Sequence, residues 1–229
     1  MRLCYNDPMK IDLALDIGGT HMRGAVFSIN KDKPERQKRI RTYTDGENSL
    51  DRLLDLIKDI TPENTPIRGV GIGLPGVIDP HSGMIVTAPN LEDWVDTPIA
   101  KRIEEEIGAP VVFGNDANLA ALGEWHFGAG QGHQNLIYLT ISTGIGGGVI
   151  CDGQLLKGNH GLAGELGHVT ILPDGPVCSC GHRGYGAADF FTGTCGTAAA
   201  LCSWKEGVME TWYHLCTLCS DFDCIYNGT

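Results

Sequence analysis

Apolar positions along the chain fall into short β-like runs and helical stripes that alternate. Ile11 to Leu15 is a short apolar run, and a second run covers Gly24 to Ile29. Between them Asp16-Ile-Gly-Gly-Thr20 supplies glycines and polar groups, which predicts strand, turn, strand: an antiparallel hairpin with a polar tip. A further arm is expected over Gln37–Tyr43. Leu50, Leu53, Leu54, Ile57 and Ile60 then repeat with helical spacing, behind Asn48 or Ser49 as cap. Gly69–Gly76 reads as a buried strand running into a loop. A second helix is expected with Thr97 as N-cap, Pro98 at its first position, Ile99, Ile103 and Ile107 on one face and Gly108 as its stop. Val111–Phe113 predicts a strand ending at Asn115-Asp116, followed by a helix from Ala117 to about Phe127.

The pattern then restarts. Leu136–Ser142 is β-like, Thr143-Gly-Ile-Gly-Gly-Gly148 reads as a second glycine turn, and Val149–Cys151 is its return arm. Two such hairpins, about 125 residues apart, predict two related α/β lobes dividing near residue 114. Residues 136–150 lack charge, but at fifteen residues rich in Gly and Thr they fall short of the roughly 20 a membrane helix needs.

Composition narrows the class. A chain of 229 residues with 42% hydrophobic and 20% charged residues is globular rather than disordered. Its 32 glycines are about twice the usual share, and they cluster in short segments, as tight turns and close backbone approaches require. A formal net charge of −11 argues against a nucleic-acid partner. The one basic stretch, Lys31–Arg41, is expected to be a solvated hairpin. The N-terminal segment lacks the apolar core of a secretory signal, so the expectation is a cytoplasmic protein without a membrane partner. Nine cysteines without such a signal argue against a disulfide framework. Five of them, Cys195, Cys202, Cys216, Cys219 and Cys224, crowd into a tail of different composition.

Four constellations carry candidate chemistry. In Asp16-Ile-Gly-Gly-Thr20, glycine N–H groups can approach phosphate, Thr20 adds a hydroxyl, and Asp16 can hold hydrated Mg²⁺; an ordinary hairpin turn also explains the motif. Ser142-Thr-Gly-Ile-Gly-Gly-Gly148 repeats the device, and two such turns together would hold a polyphosphate from two sides. Asn115-Asp116-Ala-Asn118 opens a helix, where Asp116 is either a cap or a carboxylate that accepts a hydroxyl proton. The fourth is Gly164-Glu165-Leu-Gly-His168 with Cys178-Ser-Cys180-Gly-His182-Arg-Gly184-Tyr185. His168, Cys178 and Cys180 give three ligands of zinc type where a structural site wants four, and spacing alone leaves metal binding open.

In order along the chain, ALDIGGTHMRGAVF (14–27), GVGIGLPGVIDP (69–80), APNLEDW (88–94), FGNDANLAALGE (113–124), LTISTGIGGGVI (139–150), HGLAGELGHVTI (160–171) and CSCGHRG (178–184) resemble the ROK family of sugar kinases and repressors, within the actin–hexokinase superfamily. The details look most like its ATP-dependent glucokinases. The resemblance implies a two-lobed α/β fold of the actin/hexokinase, ribonuclease H-like type with its second lobe incomplete: an N-terminal lobe over 1–114, the start of a second over 115–185, and a tail over 186–229. It implies that Asp16, Gly18, Gly19, Thr20, Ser142, Thr143, Gly144 and Gly146 hold ATP and Mg²⁺. Asp116 matches the base that takes the sugar 6-hydroxyl proton; Asn115, Glu165 and His168 match residues that hydrogen-bond the sugar. His168, Cys178 and Cys180 match zinc ligands.

The chain also departs from that pattern. Tyr185 stands at the family's third cysteine and Ala187 at a sugar-binding glutamate, and from Tyr185 onward no family similarity is expected, as in an altered or truncated C-terminus. The fourth zinc position then falls to water, to a tail cysteine such as Cys195, or to nothing, which predicts weak zinc and weak sugar binding. The expected activity is phosphoryl transfer from ATP to a hexose 6-hydroxyl, glucose first, with N-acetylmannosamine or N-acetylglucosamine as alternatives. A catalytically inactive remnant or sugar-binding regulatory protein is the alternative of another class. A DNA-binding repressor would need a helix-turn-helix ahead of the core, and only about ten residues precede Ile11. A homo-oligomer is compatible with the resemblance.

Overall fold

The computed structural model describes residues 10–29, 31, 33–43, 48–88, 91–141, 145–178 and 180–185. They form two compact units: the first runs to Asp116 and includes Asn159–Gly161, the second begins at Ala117.

The first unit is built on a five-stranded sheet. Strands β1 (Ile11–Ile17) and β2 (His21–Ser28) form the expected antiparallel hairpin, and β3 (Arg36–Arg41) adds to β2. Strands β4 (Ile67–Leu74) and β7 (Val111–Asn115) lie parallel to β1, in the order β3-β2-β1-β4-β7. A small two-stranded sheet, β5 (Val77–Ile78) and β6 (Ile85–Thr87), precedes the second helix. Alternate residues of β1 (Ile11, Leu13, Leu15, Ile17) are buried, as a strand with period-two patterning requires.

Helix α1 (Ser49–Ile60) begins where its cap predicts: the Asn48 side chain accepts from the Leu50 N–H at 2.7 Å. It buries Leu50, Leu53, Leu56, Ile57 and Ile60. Gly24 of β2 leaves the notch this face fills, since a Cβ there would stand 2.7 Å from Ile60 Cδ1 and 3.1 Å from Leu15 Cδ2. Helix α2 (Ile99–Ile107) buries Ile99 and Ile103 and ends at Gly108, whose φ of 68° is the left-handed stop the sequence predicts. Its start corrects the expectation. Thr97 is not the N-cap; its hydroxyl donates to the carbonyls of Asp93 and Val95, and Pro98 takes the cap position without a side-chain bond.

Trp94 ties these pieces together. It is fully buried on a short 3₁₀ turn, Glu92–Trp94, and its Nε1–H donates to Ser49 Oγ at 2.8 Å. That hydroxyl donates in turn to Asp93 Oδ2 at 2.9 Å.

The second unit contains helix α3 (Asp116–Phe127) after its first residue, and a three-stranded sheet of β8 (Leu136–Ile141), β9 (Ile145–Cys151) and β10 (Gln154–Leu155) in the order β10-β9-β8. Ala121, Leu136 and Ile150 form its small core, with Leu122, Trp125, Tyr138 and Leu155 packed around them. The glycine run differs from expectation. Gly146–Gly148 lie inside β9, paired with Thr140, Leu139 and Tyr138, rather than in the turn. Close packing explains why: a Cβ on Gly146 would stand 3.1 Å from Ala117 Cβ, and one on Gly148 2.6 Å from Ala121 Cβ. On the opposite face a Cβ on Gly147 would stand 2.8 Å from the Gly164 carbonyl oxygen. Among the described residues no helix is long and apolar enough to cross a membrane.

Replacing Ser49 with Ala removes the acceptor for a buried indole N–H. An unsatisfied buried donor costs about 1–3 kcal/mol. Ser49→Ala is therefore expected to lower the unfolding free energy by that amount, read as a lower urea midpoint with an unchanged slope.

Candidate functional site

In the first unit the parallel ladder sets the geometry. Asp16 pairs in register with Gly73, Gly73 with Gly114, and Leu74 with Asn115. The carboxyl ends of β1, β4 and β7 therefore share one edge, which is where open α/β sheets place their ligands. That edge carries Asp16, the turn Gly18-Gly19-Thr20, Asn115 and Asp116, the first residue of α3. Asn115 Nδ2 donates to the Gly76 carbonyl at 3.1 Å and holds the loop after β4. Gly76 has φ 124°, and a Cβ there would stand 1.9 Å from the Thr87 carbonyl oxygen, so no other residue fits.

The glycine turn is supported from behind by a residue that motif reading missed. Thr42 is fully buried; its hydroxyl donates to the Gly18 carbonyl and its N–H to the Thr20 carbonyl at 3.0 Å. Across the turn the Gly18 N–H donates to the His21 carbonyl at 2.9 Å. Thr42 left no signal in the sequence because its role is set by the pairing of β3 with β2.

Asp16 is electrostatically placed. Desolvation pushes its carboxyl above the usual range, Arg23 pulls it down, and the Asp116 carboxylate pushes it up again. The Arg23 Nη1 to Asp16 Oδ2 distance is 3.5 Å, and both side chains are more than half exposed, so solvent screens this pair. An anionic edge of this kind has the donor set of a Mg²⁺ site: carboxylate oxygens with room for water.

The second unit holds the other candidates. Gly146 is described in β9; Ser142, Thr143 and Gly144 lie outside the described residues, as does Ala187. Glu165 precedes a 3₁₀ turn, Leu166–His168, seated against β9. Gly167 permits that seat, since a Cβ there would stand 2.1 Å from the Ile145 carbonyl oxygen. His168 Nε2 lies 3.9 Å from Glu165 Oε2, and its Nδ1 lies 3.5 Å from Cys180 Sγ. Cys178 joins them: the ligand atoms of His168, Cys178 and Cys180 all lie within 4.8 Å of one another. Around tetrahedral zinc, with Zn–S about 2.3 Å and Zn–N about 2.0–2.1 Å, sulfur and nitrogen stand about 3.5 Å apart. The donor set and spacing thus fit zinc, and two thiols with an imidazole select it over Mg²⁺.

Comparison with known proteins places this geometry. The model of the ROK family matches residues 12–199. The chain belongs to the ROK family. The match runs past Tyr185 to residue 199, which corrects the expectation that family similarity ends at Tyr185. A glucokinase of Thermotoga maritima is 39% identical over 174 residues, covering 75% of this chain and 54% of its own. The xylose repressor of Bacillus subtilis is 37% identical over 186 residues, covering 80% of this chain and 48% of its own. The crystal structure of a ROK family glucokinase from Streptomyces griseus, in complex with glucose and AMPPNP, superposes with TM-score 0.66 at 36% identity, covering 76% of this chain and 55% of that one. The chain thus has the actin/hexokinase-type α/β fold of ROK proteins and spans about half the length of the curated relatives it matches.

The raised Asp16 carboxyl has a measurable sign. A carboxylate whose folded pKa lies above its unfolded value destabilises the fold once it ionises. The penalty is absent below the ordinary carboxylate pKa, about 3.9, and complete above the raised value. Asp16→Asn is therefore expected to raise the melting temperature at pH 7 and to leave it unchanged near pH 3, as thermal unfolding at the two pH values will read out.

Proposed function

We propose that this ROK chain transfers the γ-phosphoryl group of ATP to the 6-hydroxyl of a hexose, glucose first. The observation that carries the reading is the shared edge of Asp16, the Gly18–Thr20 turn, Asn115 and Asp116 at the carboxyl ends of parallel strands. Asp116 accepts the proton of the sugar hydroxyl as its oxygen attacks the γ-phosphorus; the new O–P bond forms as the bond to the β-phosphate oxygen breaks, and ADP leaves. The Gly19 backbone N–H and the Thr20 hydroxyl hold phosphate oxygens, in a turn that Thr42 braces and that Gly18 closes through its own N–H to the His21 carbonyl. Ser142, Thr143, Gly144 and Gly146 are read as a second phosphate contact. Asp16 would hold hydrated Mg²⁺, which neutralises charge developing on the phosphates. Catalysis of this kind is mainly positioning and charge placement, and a single base suffices for the proton.

Asn115, Glu165 and His168 are read as donors and acceptors for the sugar hydroxyls, and His168, Cys178 and Cys180 as zinc ligands. The two roles of His168 use different nitrogens. Nδ1 is turned to the Cys180 sulfur, and with that nitrogen on a metal the proton sits on Nε2, toward Glu165 and the sugar. The similarity to xylose repressors spans the same residues, so phosphorylation itself separates kinase from regulator.

Asp116→Asn keeps the size of the side chain and removes the base. Loss of a general base costs about 10²–10⁴ in rate. Coupled measurement of glucose-dependent ADP formation is expected to show that loss, with calorimetric glucose affinity within a few-fold of the parent. Activity within threefold of the parent overturns the assignment.

A further inference from the structure

The motif reading leaves the metal cluster one ligand short, and the loop that carries it contains a second imidazole. Cys178 and Cys180 stand on a tight turn closed by two backbone hydrogen bonds: the Cys178 N–H donates to the His182 carbonyl at 2.7 Å, and the Gly181 N–H to the Cys178 carbonyl at 2.8 Å. Gly181, at φ 92°, allows the reversal. The turn brings His182 back beside the sulfurs. Its Nδ1 lies 3.8 Å from Cys180 Sγ, on a par with the 3.5 Å from the same sulfur to His168 Nδ1. Both values are close to the sulfur–nitrogen edge of a zinc tetrahedron, about 3.5 Å.

Tyr185 fixes the two imidazoles. Its ring stacks on His182 with centroids 5.3 Å apart and planes inclined by 10°, and meets His168 edge-on at 5.3 Å. The aromatic ring therefore stands beside both nitrogen donors as a packing surface. Gly184 sets its position: at φ 71°, a Cβ there would stand 1.7 Å from the Leu172 carbonyl oxygen, and Thr170 bridges to Tyr185. His182 stands outside the group of three whose ligand atoms all lie within 4.8 Å of one another, and its side chain is exposed and must move to complete the set.

We infer that His182 is the fourth ligand, through Nδ1, of a zinc site with two thiolates and two imidazoles, His168, Cys178, Cys180 and His182. The inference rests on the zinc reading of the first three residues. It removes the need for water or a tail cysteine in the fourth position, and it gives Tyr185 a supporting role as the ring on which His182 stacks.

The test is titration of the reduced, metal-free full chain with cobalt(II), read by its visible ligand-field bands and by thiolate-to-cobalt charge transfer. A tetrahedral spectrum with two-thiolate charge-transfer intensity is expected. His182→Ala should weaken cobalt binding by at least about 10–100-fold, the loss typical of partners one shell further from a metal. His182→Cys should keep tight binding and add the charge-transfer intensity of a third thiolate, which reads the position even where the alanine variant folds poorly. Equal affinity in parent and His182→Ala, with no added intensity in His182→Cys, overturns the His182 assignment and leaves the three-residue reading standing. Three-thiolate intensity in the parent overturns it in favour of a tail cysteine. Absence of tetrahedral cobalt in the parent overturns both readings.

Discussion

Parallel strands in register must end at the same edge, and the first unit of this protein depends on that constraint. The β1–β4–β7 ladder aligns Asp16, Gly73 and Gly114 across three strands, so residues nearly a hundred positions apart in sequence emerge side by side. The same strands pack apolar residues across the ladder, with Val70 between Leu13 and Val111 and Ile72 between Leu15 and Phe113. Chemistry at the edge is then obtained from positions where the hydrophobic pattern stops. The cost falls on Asp16: desolvation first, and the neighbouring Asp116 carboxylate after it, push its carboxyl above the usual range.

Glycine serves the two units differently. In the first hairpin, glycines occupy the connection, with their backbone braced by Thr42. In the second, Gly146, Gly147 and Gly148 run through the strand itself, and alternate faces accept Ala117 and Ala121 on one side and Gly164 and Leu166 on the other. Here the absent side chains set an interlayer distance. That closeness seats the Glu165–His168 segment against β9, so the sugar and metal candidates of the second unit are positioned by residues that carry no functional group.

Much of this was legible in the residues. The α1 stripe and Asn48 cap, the left-handed stop at Gly108 and the hairpin pattern follow from local rules, and the structure shows each of them. Local rules failed where a tertiary partner competed. Thr97 looks like a cap, but the Asp93 and Val95 carbonyls are nearer partners for its hydroxyl. Gly146–Gly148 look like turn residues because a run of glycine in sequence does not reveal a helix packed on it. Thr42 and His182 escaped motif reading for a related reason: each acts through a backbone reversal that brings it beside residues whose role is easier to recognise.

The basic strand β3 has a consequence for association. It is the terminal strand of the five-stranded sheet, and Arg36, Lys38, Arg39 and Arg41 are exposed along it. A terminal strand offers unpaired backbone groups to any extended segment that approaches, and a second copy of β3 would bring a matching row of cations into contact with the first. The sheet is therefore guarded at this border by repulsion between like charges, in a protein whose overall charge is strongly negative. Salt that screens the row would lower that guard, so self-association through this border should respond to ionic strength in the direction opposite to an attractive charge contact.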